Sequence, residues 1–241
     1  MSDVPDEGRF ANVAAAVLLG GASRRMGRDK AHLPHDGVAL ATRTARLLAA
    51  HFEEVLLVGG APPDDAPGRR VPDPDGPPCA LRGLVGALAA ARAPRVLVVA
   101  TDLPLLAPEL LLALVAWPEA DVVLPRVGER LEPLCALWAR EPALREARAR
   151  LAAGRLALRE LVGALRHEVL GGADLRAVDP EGVMLANANT PDDWARIQRL
   201  VRTASEAAPA DGMHTLGANA ASGEDRPAGG VQVGTAEESL P

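Results

Sequence analysis

The chain has 241 residues, enough for one sizeable α/β domain with a buried core. Hydrophobic residues make up 48% and aromatics 2%, with no Tyr, so an aliphatic core is expected and a base-stacking platform for single-stranded nucleic acid is argued against. The formal charge of −6 is concentrated beyond Thr203, where six acids face Arg226 alone; the near-neutral body lacks the basic footprint of a nucleic-acid or membrane-surface binder.

The opening MSDVPDEGRFANV is polar and reads as a loose lead-in over residues 1–11, not as a secretory signal. Val13 to Leu19 is a continuous apolar run ending in Gly20-Gly21, the pattern of a strand buried on both faces. Helical periodicity follows over Leu40 to Ala50, then a second buried strand over Glu54 to Val58, ending at Gly59-Gly60. Seven prolines between Ala61 and Pro78 predict a long, stiff loop without regular structure. Arg82 to Arg92 reads as a helix, Arg95 to Ala100 as a third buried strand, Pro108–Ala116 as a helix and Asp121–Leu124 as a strand. This alternation predicts an α/β architecture with a parallel, doubly wound sheet.

From Pro133 the pattern changes. Pro133–Trp138 reads as extended, Pro142–Ala153 and Leu156–Leu165 as helices, Val183–Ala186 as a short strand, and a last helix starts at Pro191 with Thr190 as its N-cap. The folded domain is expected over residues 12–202, in a first half over 12–125 and a second half over 126–202. Residues 203–241 lack periodicity and read as a disordered acidic tail. Cys79 and Cys135 form no CxxC pair, and no apolar run approaches a membrane span, so the cytoplasm is the expected compartment.

The segment Leu18 to Lys30, LLGGASRRMGRDK, follows the first strand directly. A glycine-rich turn at the carboxyl end of a first parallel strand is where this architecture binds phosphates, because exposed N–H groups make a nest for anions. No GK[ST] follows the glycines and G-x-G-x-x-G is absent, so the turn is neither a P-loop nor a dinucleotide fingerprint. Cationic residues crowd it instead. Of 26 basic residues Lys30 is the only lysine, a compact point charge suited to a tight phosphate pocket.

The third buried strand runs into Thr101-Asp102-Leu103-Pro104, which sets the Asp102 carboxylate toward the same crevice. Phosphate transfer needs a hard divalent ion, and Mg²⁺ takes only one or two protein carboxylates, so Asp102 is the metal candidate. The chain has four asparagines, and Asn187 and Asn189 sit two apart. On an extended segment both amides point to one side, where they can meet a polar ligand or a metal-bound water. His32 and His35 have no third ligand in sight and read as an ordinary loop pair.

LLGGASRRMGRDKAHLPHDG resembles the N-terminal motif of the molybdenum cofactor guanylyltransferases, LAGGxSxRMGxDKAxL, with Leu19 in place of the usual Ala. The resemblance covers about residues 12 to 200 and implies a Rossmann-like sheet of nucleotidyltransferase type, mostly parallel and flanked by helices, with a nucleotide half over 12–125 and an acceptor half over 126–202. It implies that Leu18, Gly20, Gly21 and Ser23 border the nucleotide and that Arg25 and Lys30 are catalytic, holding the triphosphate. The D-x-P triplet at Asp102 is similar to the family's metal-binding motif. In the family an Asp precedes a GPLAG-type sequence; here the stretch is an expanded GPPCALRG, leaving Asp73 or Asp75 for that place, with Asp73 preferred. Asn187-Ala188-Asn189-Thr190-Pro191 resembles the family's NxNTP motif, and RVGERLEPLCALW resembles the segment that makes Arg126 and Arg130 candidates for the acceptor phosphate.

By this resemblance the chain transfers GMP from GTP to molybdopterin with Mg²⁺ as cofactor, releasing pyrophosphate, and makes transient contact with proteins that mature molybdoenzymes. Two alternatives stay open: a molybdopterin cytidylyltransferase, and a noncatalytic nucleotide-binding regulatory module. A nicotinamide-dependent dehydrogenase is discounted, since the second strand ends in Val58-Gly59-Gly60 without an acidic ribose-binding residue.

Overall fold

The computed structural model describes residues 9–20, 30–35, 37–76, 78–188 and 190–207, with the backbone alone for Lys30, His35, Pro191 and residues 201–207. β1 (Phe10–Leu18) is followed by a 3-10 turn (Lys30–His32), a hairpin of β2 (Pro34–His35) and β3 (Val38–Ala39), and α1 (Leu40–Ala49). β4 (Phe52–Val58), β5 (Arg69–Val71), α2 (Ala80–Ala90), β6 (Arg95–Ala100) and α3 (Pro108–Ala116) complete the first half. The second half adds β7 (Val122–Val127), β8 (Arg130–Leu131), β9 (Cys135–Ala139) and α4 (Arg140–Ala152). It closes with α5 (Leu158–Gly163), β10 (His167–Leu170), α6 (Gly172–Val178) and α7 (Pro191–Ala207).

The main sheet runs β10-β7-β9-β6-β1-β4-β5, with β8 paired to β7 beside that path. Pairings along the path are parallel except the two made by β9. The apolar runs become strands because both faces of the sheet are covered. Val13, Ala15 and Val17 of β1 pack with Ala41, Ala45 and Leu48 of α1 and Leu110 and Leu114 of α3. Ala14, Ala16 and Leu18 pack on the other face with Leu81, Leu84 and Leu88 of α2 and Ala143 and Ala147 of α4. This is the doubly wound, mostly parallel α/β fold that the alternation predicts. Among the described residues no helix is long and apolar enough to cross a membrane.

Local chemistry explains several boundaries. α7 starts where Thr190 and Asp193 cap each other: the Asp193 N–H donates to Thr190 Oγ1 at 3.1 Å, and the Thr190 N–H donates to Asp193 Oδ2 at 2.9 Å. β1 begins at Phe10, before the apolar run, where the Phe10 ring stacks on Phe52 with centroids 5.6 Å apart.

Some expectations need correction. Val183–Ala186 is not a strand: the Asp179 carboxylate accepts the Val183 and Met184 N–H groups, both at 3.0 Å, and this local acceptor replaces a ladder partner. Leu185 is buried all the same, which is why the segment reads as apolar core. The proline-rich stretch is not wholly irregular, since Arg69–Val71 fits between prolines and pairs with β4 as an edge strand. β10 also escapes periodicity, because on the opposite edge only Leu170 is fully buried. Pro133–Trp138 is extended as expected, as β9, but it runs antiparallel to both its neighbours, β6 and β7.

Trp138 on β9 is fully buried, and its indole N–H has no partner among the described residues. An unpaired buried donor costs about 1–3 kcal/mol, whereas deleting the ring leaves a cavity costing about 3–5 kcal/mol. Trp138→Phe should therefore stay within about 1.5 kcal/mol of the parent and Trp138→Ala should lose at least about 3 kcal/mol, measured by urea unfolding.

Candidate active site at the carboxyl edge

Parallel strands release their loops at one edge, and here Leu18 at the end of β1 stands level with Val58 of β4 and Ala100 of β6. After β1 the chain turns to β4 and β5 on one side, then returns to β6 on the other. The β1/β6 boundary is thus the topological switch point, outside which ligands of open α/β sheets bind. The glycine turn leaves the sheet from a stapled base. Thr101 Oγ1 donates to the Leu18 carbonyl at 3.3 Å from one side, and the Leu19 N–H donates to the Val58 carbonyl at 2.9 Å from the other.

Gly21, Ser23, Arg25 and Asn189 lie outside the described residues, as does the Lys30 side chain. The chain that follows the turn is anchored. Ala31 is fully buried, and His32 Nε2 lies 2.9 Å from the Ala61 carbonyl, so His32 ties the 3-10 turn to the loop after β4.

Asp102 follows β6 at the switch point and is half-buried. The Ala188 N–H donates to the Asp102 main-chain carbonyl at 2.9 Å, which brings Asn187 and its neighbours to this corner from 85 residues away in sequence. A second carboxylate, unnoticed in the sequence, faces the same field. Glu132 precedes β9, its side chain is 14% exposed, and Arg130 Nε lies 2.6 Å from Oε1 in a close ion pair that lacks hydrogen-bond alignment. Burial holds the Glu132 carboxyl above the usual carboxylate range, Arg130 opposes that shift, and the Asp102 charge adds to it. Among the described residues no three His, Cys, Asp or Glu side chains gather into a metal cage. One or two carboxylates beside a phosphate loop suit a hard divalent ion that keeps water and phosphate oxygens as its other ligands. Burial, aided by Glu132, pushes the Cys135 thiol up to about 12, which removes it from nucleophilic chemistry.

Of the two candidate aspartates after β5, Asp73 turns toward the glycine turn and Asp75 is exposed. A Cβ placed on Gly20 would lie 3.4 Å from Asp73 Oδ2, and one on Gly59 only 2.7 Å from Oδ1. Arg82 from the first turn of α2 donates to Asp73 Oδ2 at 3.0 Å. Arg82 lies within GPPCALRG and Glu132 within RVGERLEPLCALW, but the resemblance of those stretches does not single either residue out. The legible signal for Arg82 is that it is the one charged residue in the helix ALRGLVGALAA.

Leu18, Gly20, Asp73, Asp102 and the Asn187 segment therefore meet around the ends of β1, β4 and β6. Arg126 and Arg130 stand on β7 and β8, separated from β6 by β9. Arg126 is exposed beside Gly171, and Arg130 is drawn to Glu132.

Gly59 has φ +70°, and Gly37, also left-handed at φ +77°, has open space where a Cβ would go. Gly37→Ala should cost only the backbone strain of about 1–2 kcal/mol. Gly59→Ala should cost at least about 1 kcal/mol more, because its methyl group would displace the Asp73 carboxylate. Chemical unfolding of the two variants checks the difference.

The MobA-like NTP transferase domain family matches residues 15–169. A probable molybdenum cofactor guanylyltransferase of Chloroflexus aggregans is 37% identical over 203 residues, 79% of this chain and 96% of the relative. A molybdenum cofactor guanylyltransferase of Xanthomonas euvesicatoria is 35% identical over 182 residues, 75% of this chain and 92% of the relative. The solved molybdopterin-guanine dinucleotide biosynthesis protein A of Archaeoglobus fulgidus superposes with a TM-score of 0.67 at 23% identity, covering 79% of this chain and 99% of its own. A 2-C-methyl-D-erythritol 4-phosphate cytidylyltransferase of Thermus thermophilus superposes at 0.61 and 19% identity, over 79% of this chain and 99% of that one. Those two structures speak for the fold, while the family match and the sequence relatives speak for descent: the chain belongs to the MobA-like NTP transferase family.

Proposed function

We propose that this chain is a molybdenum cofactor guanylyltransferase, transferring GMP from GTP to molybdopterin to give molybdopterin guanine dinucleotide and pyrophosphate. The observation that carries the reading is the junction of β1 and β6. A glycine turn with its cations leaves one strand, and the Asp102 carboxylate leaves its neighbour, level with it in the sheet. Relatives at 35–37% identity that carry this name support the choice of donor and acceptor.

The terminal phosphate of the acceptor attacks the α-phosphorus of GTP in line. A bond forms from the acceptor oxygen to that phosphorus, the bond to the β-phosphate oxygen breaks, and pyrophosphate leaves with the electron pair. A phosphate monoester is already a nucleophile at neutral pH, so no general base is needed and catalysis is positioning plus charge neutralisation.

Leu18, Gly20, Gly21 and Ser23 border the nucleotide, with Asp73 opposite, and Lys30 and Arg25 neutralise the leaving pyrophosphate. Asn187 and Asn189 meet the acceptor. Arg126 is the better candidate for its phosphate, because Arg130 is already engaged by Glu132. Asp102 would hold a magnesium ion, which when bound supplies positive charge at the α-phosphate. Action in the cytoplasm, with transient contact to proteins that mature molybdoenzymes, fits the same reading.

Pyrophosphate release with each of four triphosphates, with and without molybdopterin, tests the proposal. Release with GTP only when molybdopterin is present is expected; a preference for CTP would make the chain a cytidylyltransferase, and no release with any triphosphate would leave a noncatalytic module. Lys30→Ala should lower kcat/KM by about 100-fold, about 2.7 kcal/mol of transition-state stabilisation. A change below about threefold in a folded variant would remove Lys30 from the mechanism.

A further inference from the structure

A cation in the first turn of a helix opposes the helix dipole, and α2 places one there, Arg82, with no acidic residue in that turn to offset it. The rest of α2 is apolar, so propensity and packing do not ask for this residue. What Arg82 touches accounts for it. Its Nη2 donates to Asp73 Oδ2 at 3.0 Å and its Nη1 to the Gly76 carbonyl at 2.7 Å. Both side chains are mostly withdrawn from solvent, at 20% exposure for Arg82 and 24% for Asp73, so water screens the pair poorly.

The backbone beneath Asp73 is already restrained. Pro72 and Pro74 flank it, and a proline both fixes its own φ and keeps the preceding residue extended. Pro74 is pressed in turn against α2, where a Cβ on Gly86 would meet its Cδ at 3.0 Å and Val58 Cγ1 at 3.2 Å. With the main chain held, what remains free is the carboxylate's rotamer. Arg82 selects the one that sets Oδ2 3.4 Å from the Cβ position of Gly20 and Oδ1 2.7 Å from that of Gly59.

A carboxylate in that place would repel a triphosphate on the glycine turn unless its charge were offset, and a guanidinium two hydrogen bonds deep in the same loop offsets it. We propose that Arg82 is a positioning residue for nucleotide binding: it holds Asp73 toward the glycine turn and cancels its charge beside the triphosphate. This rests on the nucleotidyltransferase reading above, in which that turn receives GTP.

GTP affinity measured by titration calorimetry, together with KM and kcat in the pyrophosphate assay, tests the inference. Arg82→Ala should weaken GTP binding and raise KM by about tenfold while kcat moves less than about threefold, and Arg82→Lys should recover most of the loss. In an Asp73→Asn background, removing Arg82 should have less than about a third of its effect in the parent, because the charge to be cancelled is gone. A folded Arg82→Ala with GTP affinity within about twofold of the parent overturns the inference, as does a double variant whose losses multiply. Should Arg82→Ala not fold, Arg82→Gln replaces it: weaker GTP binding by Gln than by Lys supports the assignment, and equal binding overturns it. If the parent binds GTP but releases no pyrophosphate, the guanylyltransferase reading fails, and the calorimetric comparison still decides the role of Arg82.

Discussion

β1 is gripped from both sides in parallel register, with Leu18 level with Val58 and Ala100, and the loops of the site take their positions from that arrangement. Backbone hydrogen bonds fix the levels at which three strands end, and each end releases one part of the site. The glycine turn leaves β1, the Gly59-Gly60 bend leaves β4, and Thr101-Asp102 leaves β6. Two further bonds, from the Leu19 N–H to Val58 and from Thr101 Oγ1 to Leu18, carry the register past the sheet into the loops. The alanine-rich interior of β1 permits this, since small side chains on both faces let α1 and α2 approach the strand closely.

The edge that results is built from opposed charges held at short range. Asp73 is matched by Arg82, and Glu132 by Arg130, while Asp102 raises the proton affinity of Glu132 through the same local field. Asp73 and Glu132 each face an arginine, which partly offsets their charge at this edge. The antiparallel β9 contributes to this arrangement, because its entry from Glu132 puts a carboxylate at the edge where the parallel strands end.

The order of elements was largely legible in the sequence. Continuous apolar runs over Val13–Leu19 and Arg95–Ala100 have only one way to be satisfied in a chain of this size, burial between helices, and the glycines and prolines around them mark where they stop. The pair Thr190-Pro191 announced α7 because capping is a local interaction. Two segments follow a specific partner rather than their apolar pattern, one partner distant in sequence and the other four residues away. Arg69–Val71 becomes a strand only because the edge of β4 is open to it, and Val183–Ala186 fails to become one because Asp179 offers its N–H groups a closer acceptor.

The sequence by itself determined the fold class, the glycine turn with its lone lysine, the carboxylate of Asp102 at a strand end and the family, because periodicity and short motifs are written in consecutive residues. Only the tertiary structure showed that Asp73, and not Asp75, turns toward Gly20 and Gly59, since that depends on the pairing with Arg82. It alone brought Glu132 within the field of the Asp102 charge, and the Asn187 segment to the same corner through one hydrogen bond from Ala188. Side-chain pairing across long loops obeys distance and charge in three dimensions, and a linear pattern carries neither.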